Sequence, residues 1–193
     1  MHVLTCHFNP CGYKRPLLNY WRFREALRGA ALHTIELSFT GEFQIPDALH
    51  VHGRPRNLMW QKERLLNLLA DRLPADVTQV AWVDADLLFL NPRWAEHAAV
   101  SLERVPAIQL FETIHFLGPH NVIVRSNPSH VKVLASGRDH HSSPGGAWAA
   151  QREVFPIYDQ AICGGGDKLL VEAWRGNWNA MPDRMGDAWR RSW

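Results

Sequence analysis

The sequence predicts a single α/β domain, with a mostly parallel central sheet flanked by helices. Three observations carry this. Residues 80–89, Val-Ala-Trp-Val-Asp-Ala-Asp-Leu-Leu-Phe, form an apolar run interrupted by two acids one residue apart, as expected of a strand buried on both faces. Strand-like and helix-like stretches alternate along the chain. The 193 residues suit one core, and no internal repeat or linker divides them.

Taken in order, residues 2–8 read as a first strand closed by Asn9-Pro10, followed by a helix over about 17–29 and an alternating strand over 32–39. A loop rich in Gly, Pro and His spans about 40–56, then a helix covers about 57–72 and ends before Pro74. The next strand stops at Asp84, and Asn91-Pro92 opens a further helix because proline is tolerated in a first turn. Strands are expected over 106–112 and 121–125, a loop able to close over a ligand over 137–146, and a helix over about 167–175. The last eighteen residues, with Trp178, Trp189 and Trp193, show no clear period.

The formal charge is only +2, so a dedicated duplex-DNA binder is not indicated, although the cations are mostly arginine (Arg22, Arg24, Arg28, Arg54, Arg56, Arg190, Arg191). No apolar stretch is long enough to span a bilayer, and the start lacks a basic region followed by a long apolar one. A cytoplasmic protein is expected. Cys6, Cys11 and Cys163 lack the spacing of a zinc site and fit a reduced compartment. There is no Walker A loop, no dinucleotide fingerprint and no nucleophile elbow.

Ligands of parallel sheets bind outside the carboxyl ends of the strands. Asp84 and Asp86 fall there, as hard oxygen ligands for Mg²⁺ or Mn²⁺ facing a substrate phosphate; the bland reading has them closing a turn. On the helix before them, Leu58, Leu65, Leu69 and Leu73 define an apolar stripe with Lys62 in its middle, while Glu63 and Asn67 lie away from it. Lys62 either snorkels to solvent or reaches a phosphate or the two acids. Asp167, after Gly164-Gly165-Gly166, is either an ordinary helix N-cap or a carboxylate offered to a substrate. Pro144-Gly145-Gly146-Ala147-Trp148 is either a plain turn into a strand or a platform that stacks Trp148 on a sugar or base.

In this order the pieces resemble a GT-A-fold glycosyltransferase of the Asp-x-Asp type, closest to small ones of bacteria and phages. The resemblance spans residues 2–175. It rests on Phe8-Asn9-Pro10, the Lys62 helix, Trp82-Val83-Asp84-Ala85-Asp86, Gly146-Ala147-Trp148-Ala149-Ala150-Gln151-Arg152-Glu153, and Tyr158-Asp159 leading to Gly165-Gly166-Asp167. It implies a Rossmann-like GT-A domain with a nucleotide-sugar half (1–100), an acceptor half (101–175) and a tail (176–193).

The implied cofactor is Mn²⁺ or Mg²⁺ on Asp84 and Asp86, and the implied donor is a nucleotide-diphosphate sugar, a UDP-sugar first. Phe8, Asn9, Lys62, Asp84, Ala85 and Asp86 would bind that donor. Gly146, Trp148 and Asp167 would face the acceptor, with Asp167 the general base of an inverting enzyme. The acceptor would be a glycan or a modified base in phage DNA, and the protein a monomer or homodimer. The chain departs from the family in having Gly166-Asp167 where many members carry two acids, and no histidine after His141. Two rivals accompany this reading. One is a sugar-phosphate nucleotidyltransferase, of which Gly12-Tyr13-Lys14-Arg15 is a faint echo; the other is a non-catalytic sugar- or nucleotide-binding relative.

Overall fold

A computed structural model describes residues 1–27, 29–137 and 141–177. The predicted tail beyond 177 lies outside the described residues, as do Arg28 and His140. Six strands form the central sheet in the order β3-β2-β1-β4-β8-β5: β1 (His2–Phe8), β2 (Ala31–Ser38), β3 (Leu49–His52), β4 (Gln79–Val83), β5 (Ala107–Gln109) and β8 (Ala147–Gln151). β1 to β4 run parallel and β8 runs against both of its neighbours. β6 (Thr113–Leu117) and β7 (Ile123–Pro128) form a separate antiparallel hairpin. The predicted α/β class, with a mostly parallel sheet between helices, is the one observed.

Alternation along the strands divides the core in two. Leu4, Val80, Trp82, Trp148 and Ala150 face α2 (Lys62–Ala70) and α5 (Gly166–Trp174). Val3, Ala81, Val83, Ala147 and Ala149 face α1 (Lys14–Ala26) and α3 (Trp94–Leu102). Sheet residues are thus apolar on both faces, which is why β4 reads as a continuous apolar run rather than an alternating one.

Four local departures from expectation have physical causes. Helix α1 starts at Lys14 because Pro16 sits inside the first turn, where its missing N–H costs nothing. Helix α2 starts at Lys62, since Pro55 first opens a short 3-10 turn and leaves Leu58 exposed. The loop expected over 40–56 contains β3, because the buried Glu36 carboxylate accepts the N–H groups of Gln44 (2.8 Å) and Ile45 (2.9 Å) and folds the segment back along β2. The stretch 106–128 makes three strands rather than two, and a further short helix, α4 (His130–Ser136), follows with Ser129 capping it through the Lys132 N–H.

Candidate active site

The chain leaves β1 towards β2 and β3, then crosses back to place β4 on the other side of β1. That reversal is the topological switch point, where a crevice forms outside the carboxyl ends of the strands. Asp84 is the first residue beyond β4, and its N–H is fixed by the Gly146 carbonyl at 2.8 Å. Asp84, Asp86, Gly145 and Gly146 line a cleft of about 1630 Å³, which extends between α1, α3 and the β6–β7 hairpin.

Lys62 resolves the choice left open by the sequence. It stands at the start of α2 with its side chain only 8% exposed, and its ammonium contacts Asp84 Oδ1 at 2.7 Å and Asp167 Oδ2 at 3.1 Å. It does not snorkel. Burial alone would lower this ammonium, but the charges of Asp84 and then Asp167 outweigh it and hold Lys62 well above its ordinary value. Asp84 keeps 39% of its side chain exposed, so the ion pair faces the cleft rather than the interior.

Asp167 lies in the first turn of α5, where a carboxylate is favoured by the helix dipole. The N-cap is Gly165, not Asp167. Burial raises the Asp167 carboxyl, Lys62 opposes the rise, and Asp84 adds to it. A side-chain carbon at 145 would stand 2.7 Å from Asp167 Oδ2, so any other residue there would displace the carboxylate. The glycine-rich turn before β8 therefore lets the backbone approach the carboxylate.

Asp86 is exposed at the rim. Desolvation by the surrounding walls raises its carboxyl, and the Asp84 charge adds to the effect. Ala85 between them packs on the α1 side of the core. Together the two acids offer the hard oxygen donors that a divalent cation would take. One oxygen of Asp84 is shared with Lys62. Among the described residues no three His, Cys, Asp or Glu side chains gather as a complete metal site, so phosphate would have to finish the shell.

Other expected site residues are placed differently. Trp148 is 1% exposed; it pairs across the sheet with Trp82, meets Trp174 edge-on, and donates its indole N–H to the Pro144 carbonyl at 2.8 Å. It is a core residue, and the platform reading is corrected. Gly146 does line the cleft. Phe8 packs edge-on to Phe39. Asn9 has both ends of its amide engaged, donating to the Tyr13 carbonyl and Gln44 and accepting the Tyr13 N–H, so it builds the loop into α1. Neither lines the cleft. Arg24 is held by Asp47 through two 2.6 Å contacts.

Two members of the cluster were not singled out from the sequence. Glu63, placed away from the apolar stripe in the sequence reading, is buried beside Lys62, and burial raises its carboxyl. Cys6 on β1 is the other: burial, and the charges of Asp84, Glu63 and Asp167 against that of Lys62, push its thiol up to about 12. The thiolate is the reactive form. Iodoacetamide at pH 8 should therefore alkylate the exposed Cys11 and Cys163 and spare Cys6 until the chain unfolds. Peptide mass spectrometry checks this, and labelling of Cys6 at the rate of Cys11 would contradict it.

No family model and no curated relative matches the chain. Solved structures do overlap it. A 4-diphosphocytidyl-2C-methyl-D-erythritol synthase from Anaerococcus prevotii is 10% identical, with 90% of this chain and 82% of that one covered at a TM-score of 0.45. The 2-C-methyl-D-erythritol 4-phosphate cytidylyltransferase of Thermus thermophilus is 14% identical, with 90% and 83% covered and a TM-score of 0.46. A Drosophila β-1,4-galactosyltransferase 7 mutant, in complex with manganese, UDP-Gal and xylobiose, is 18% identical, with 92% and 63% covered and a TM-score of 0.44. Overlaps this distant say nothing of activity.

No helix among the described residues is long and apolar enough to cross a membrane.

Proposed function

We propose that this chain is a metal-dependent glycosyltransferase, moving a sugar from a nucleotide-diphosphate sugar, a UDP-sugar first, to an acceptor hydroxyl. One observation carries the reading: at the switch point of the sheet a buried lysine bridges Asp167 at the start of α5 to Asp84 at the tip of β4, and Asp84 lines a large cleft. At about 1630 Å³ the cleft exceeds the roughly 300–1,000 Å³ of a single-ligand pocket, which leaves room for donor and acceptor together.

Asp86, with the free side of Asp84, would hold Mn²⁺ or Mg²⁺, an ion that supplies charge stabilisation to a departing diphosphate when bound. Lys62 keeps its proton throughout and places a fixed positive charge behind Asp84. Asp167, its carboxyl raised towards the working pH, takes the proton of the attacking hydroxyl. Direct attack by that hydroxyl on the anomeric carbon inverts its configuration. In this reading residues 1–100 serve the donor and residues 101–175 the acceptor.

Two measurements test the proposal. A thermal-shift panel of UDP-, GDP-, ADP-, CDP- and dTDP-sugars with and without Mn²⁺ should show selective stabilisation by one donor class. Asp86→Asn should lower Mn²⁺-dependent release of nucleoside diphosphate by about 100-fold, or ~2.7 kcal/mol of barrier, while Asp167→Asn should cut transfer far more than donor binding. Unchanged turnover in Asp86→Asn would remove the metal assignment. Pyrophosphate release from a nucleoside triphosphate and a sugar phosphate would select a nucleotidyltransferase instead.

A further inference from the structure

The cleft continues outward from the acids along the β6–β7 hairpin. A side-chain carbon at Gly146, whose carbonyl holds Asp84, would stand 3.4 Å from both Leu87 and Ile114, so the base of β6 borders the acid pair. Two residues further along β6, Phe116 is the cross-strand partner of Arg125, and the Arg125 guanidinium carbon lies 4.0 Å from the Phe116 ring centroid. A strand rises about 3.3 Å per residue, which puts Arg125 about 7 Å beyond Ile114. That is roughly one sugar ring along the hairpin from Ile114.

Arg125 is exposed, lines the cleft, and has no carboxylate partner among the described residues. Glu112, an acid of the same wall, is already taken by Lys132 at 2.9 Å. Stacking on Phe116 occupies one face of the guanidinium and leaves its in-plane N–H groups free for a forked contact. A preorganised guanidinium on the wall of the cleft, without a carboxylate partner, is suited to an anionic ligand.

We infer that Arg125 is a specificity-determining residue, selecting an acceptor that carries an anionic group, carboxylate or phosphate. The word acceptor rests on the glycosyl-transfer reading; the anion site does not. Three probes differing only in the group at C6 test it: 4-nitrophenyl β-D-glucoside, the matching glucuronide, and the glucoside 6-phosphate, each titrated by NMR.

At least one acidic probe should bind about 10- to 100-fold tighter than the glucoside, the range of a charge-assisted contact, and added salt should erode the gap. Arg125→Gln should abolish the preference while leaving glucoside affinity unchanged, and Arg125→Lys should restore only part of it. Equal affinities for all three probes, or a preference that survives Arg125→Gln, would overturn the inference. No preference in the parent protein, with Mn²⁺-dependent diphosphate release intact, would refute the role of Arg125 alone. Preference without any sugar-nucleotide turnover would support the anion site and count against the proposed activity.

Discussion

Trp148→Ala should lower the thermal midpoint by about 6–20 °C. Truncating a large buried aromatic costs about 3–5 kcal/mol, and each kcal/mol is worth roughly 2–4 °C in a domain of this size. The indole is almost wholly covered, sandwiched between Trp82 on the adjacent strand and Trp174 of α5. On the same face of β8 the next residue is Ala150, too small to collapse into the gap. Trp148→Phe keeps most of the ring but removes the donor to the Pro144 carbonyl. It should cost about 0.5–1.5 kcal/mol, the net worth of one hydrogen bond, since Gln109 still donates to that carbonyl at 3.3 Å, and loosen the turn that carries Gly145 and Gly146. Differential scanning calorimetry measures both variants. An unchanged midpoint in Trp148→Ala, combined with weaker acceptor binding, would return the ring to the acceptor site.

That example marks where the sequence could be read and where it could not. The apolar run of β4 ending on Asp84 declared both a buried strand and the point where it emerges into the cleft, because a strand covered on two faces leaves no polar residue until it emerges. Lys62 was visible as a misfit on an apolar stripe, and the misfit was real: its partners lie 22 and 105 residues away, beyond any local pattern. Trp148 misled because an aromatic beside glycines is compatible with both a binding platform and a core strand. Only the pairing with Trp82 across an antiparallel register decides between them. Helical geometry sets Glu63 and Asn67 away from the apolar stripe. Both are buried, since α2 meets the 155–167 segment as well as the sheet: Asn67 exchanges two hydrogen bonds with the Ile157 backbone, at 2.8 and 2.9 Å, imitating a strand neighbour. Long-range backbone partners of this kind leave no periodic trace. The hairpin carrying Arg125 was half seen, as one strand at 121–125, because its partner has a mixed pattern of exposed and half-covered residues.

Lys62→Met should be nearly as damaging as Trp148→Ala, and its effect should depend on pH. Removing one partner of a buried pair costs about 3–5 kcal/mol; the low end applies because Asp84 is partly open to water. The loss arises from two carboxylates left near one another without their shared cation. In the native chain Lys62 has a raised value, so its contribution is complete below the ordinary lysine range and is lost only as pH climbs through the raised one. Neutral solution lies well inside that window. Asp167 is already raised by burial, with Lys62 holding it back. Without Lys62 it rises further, the folded state then binds more protons than the unfolded one, and stability falls as pH increases. The variant, measured in EDTA, should thus be closer to the parent at pH 5 than at pH 8. Adding Asp167→Asn to Lys62→Met should recover much of the loss and flatten the pH dependence. A variant whose midpoint deficit is the same at both pH values would show that Lys62 acts by packing alone, with no electrostatic link between the strand tip and the start of α5.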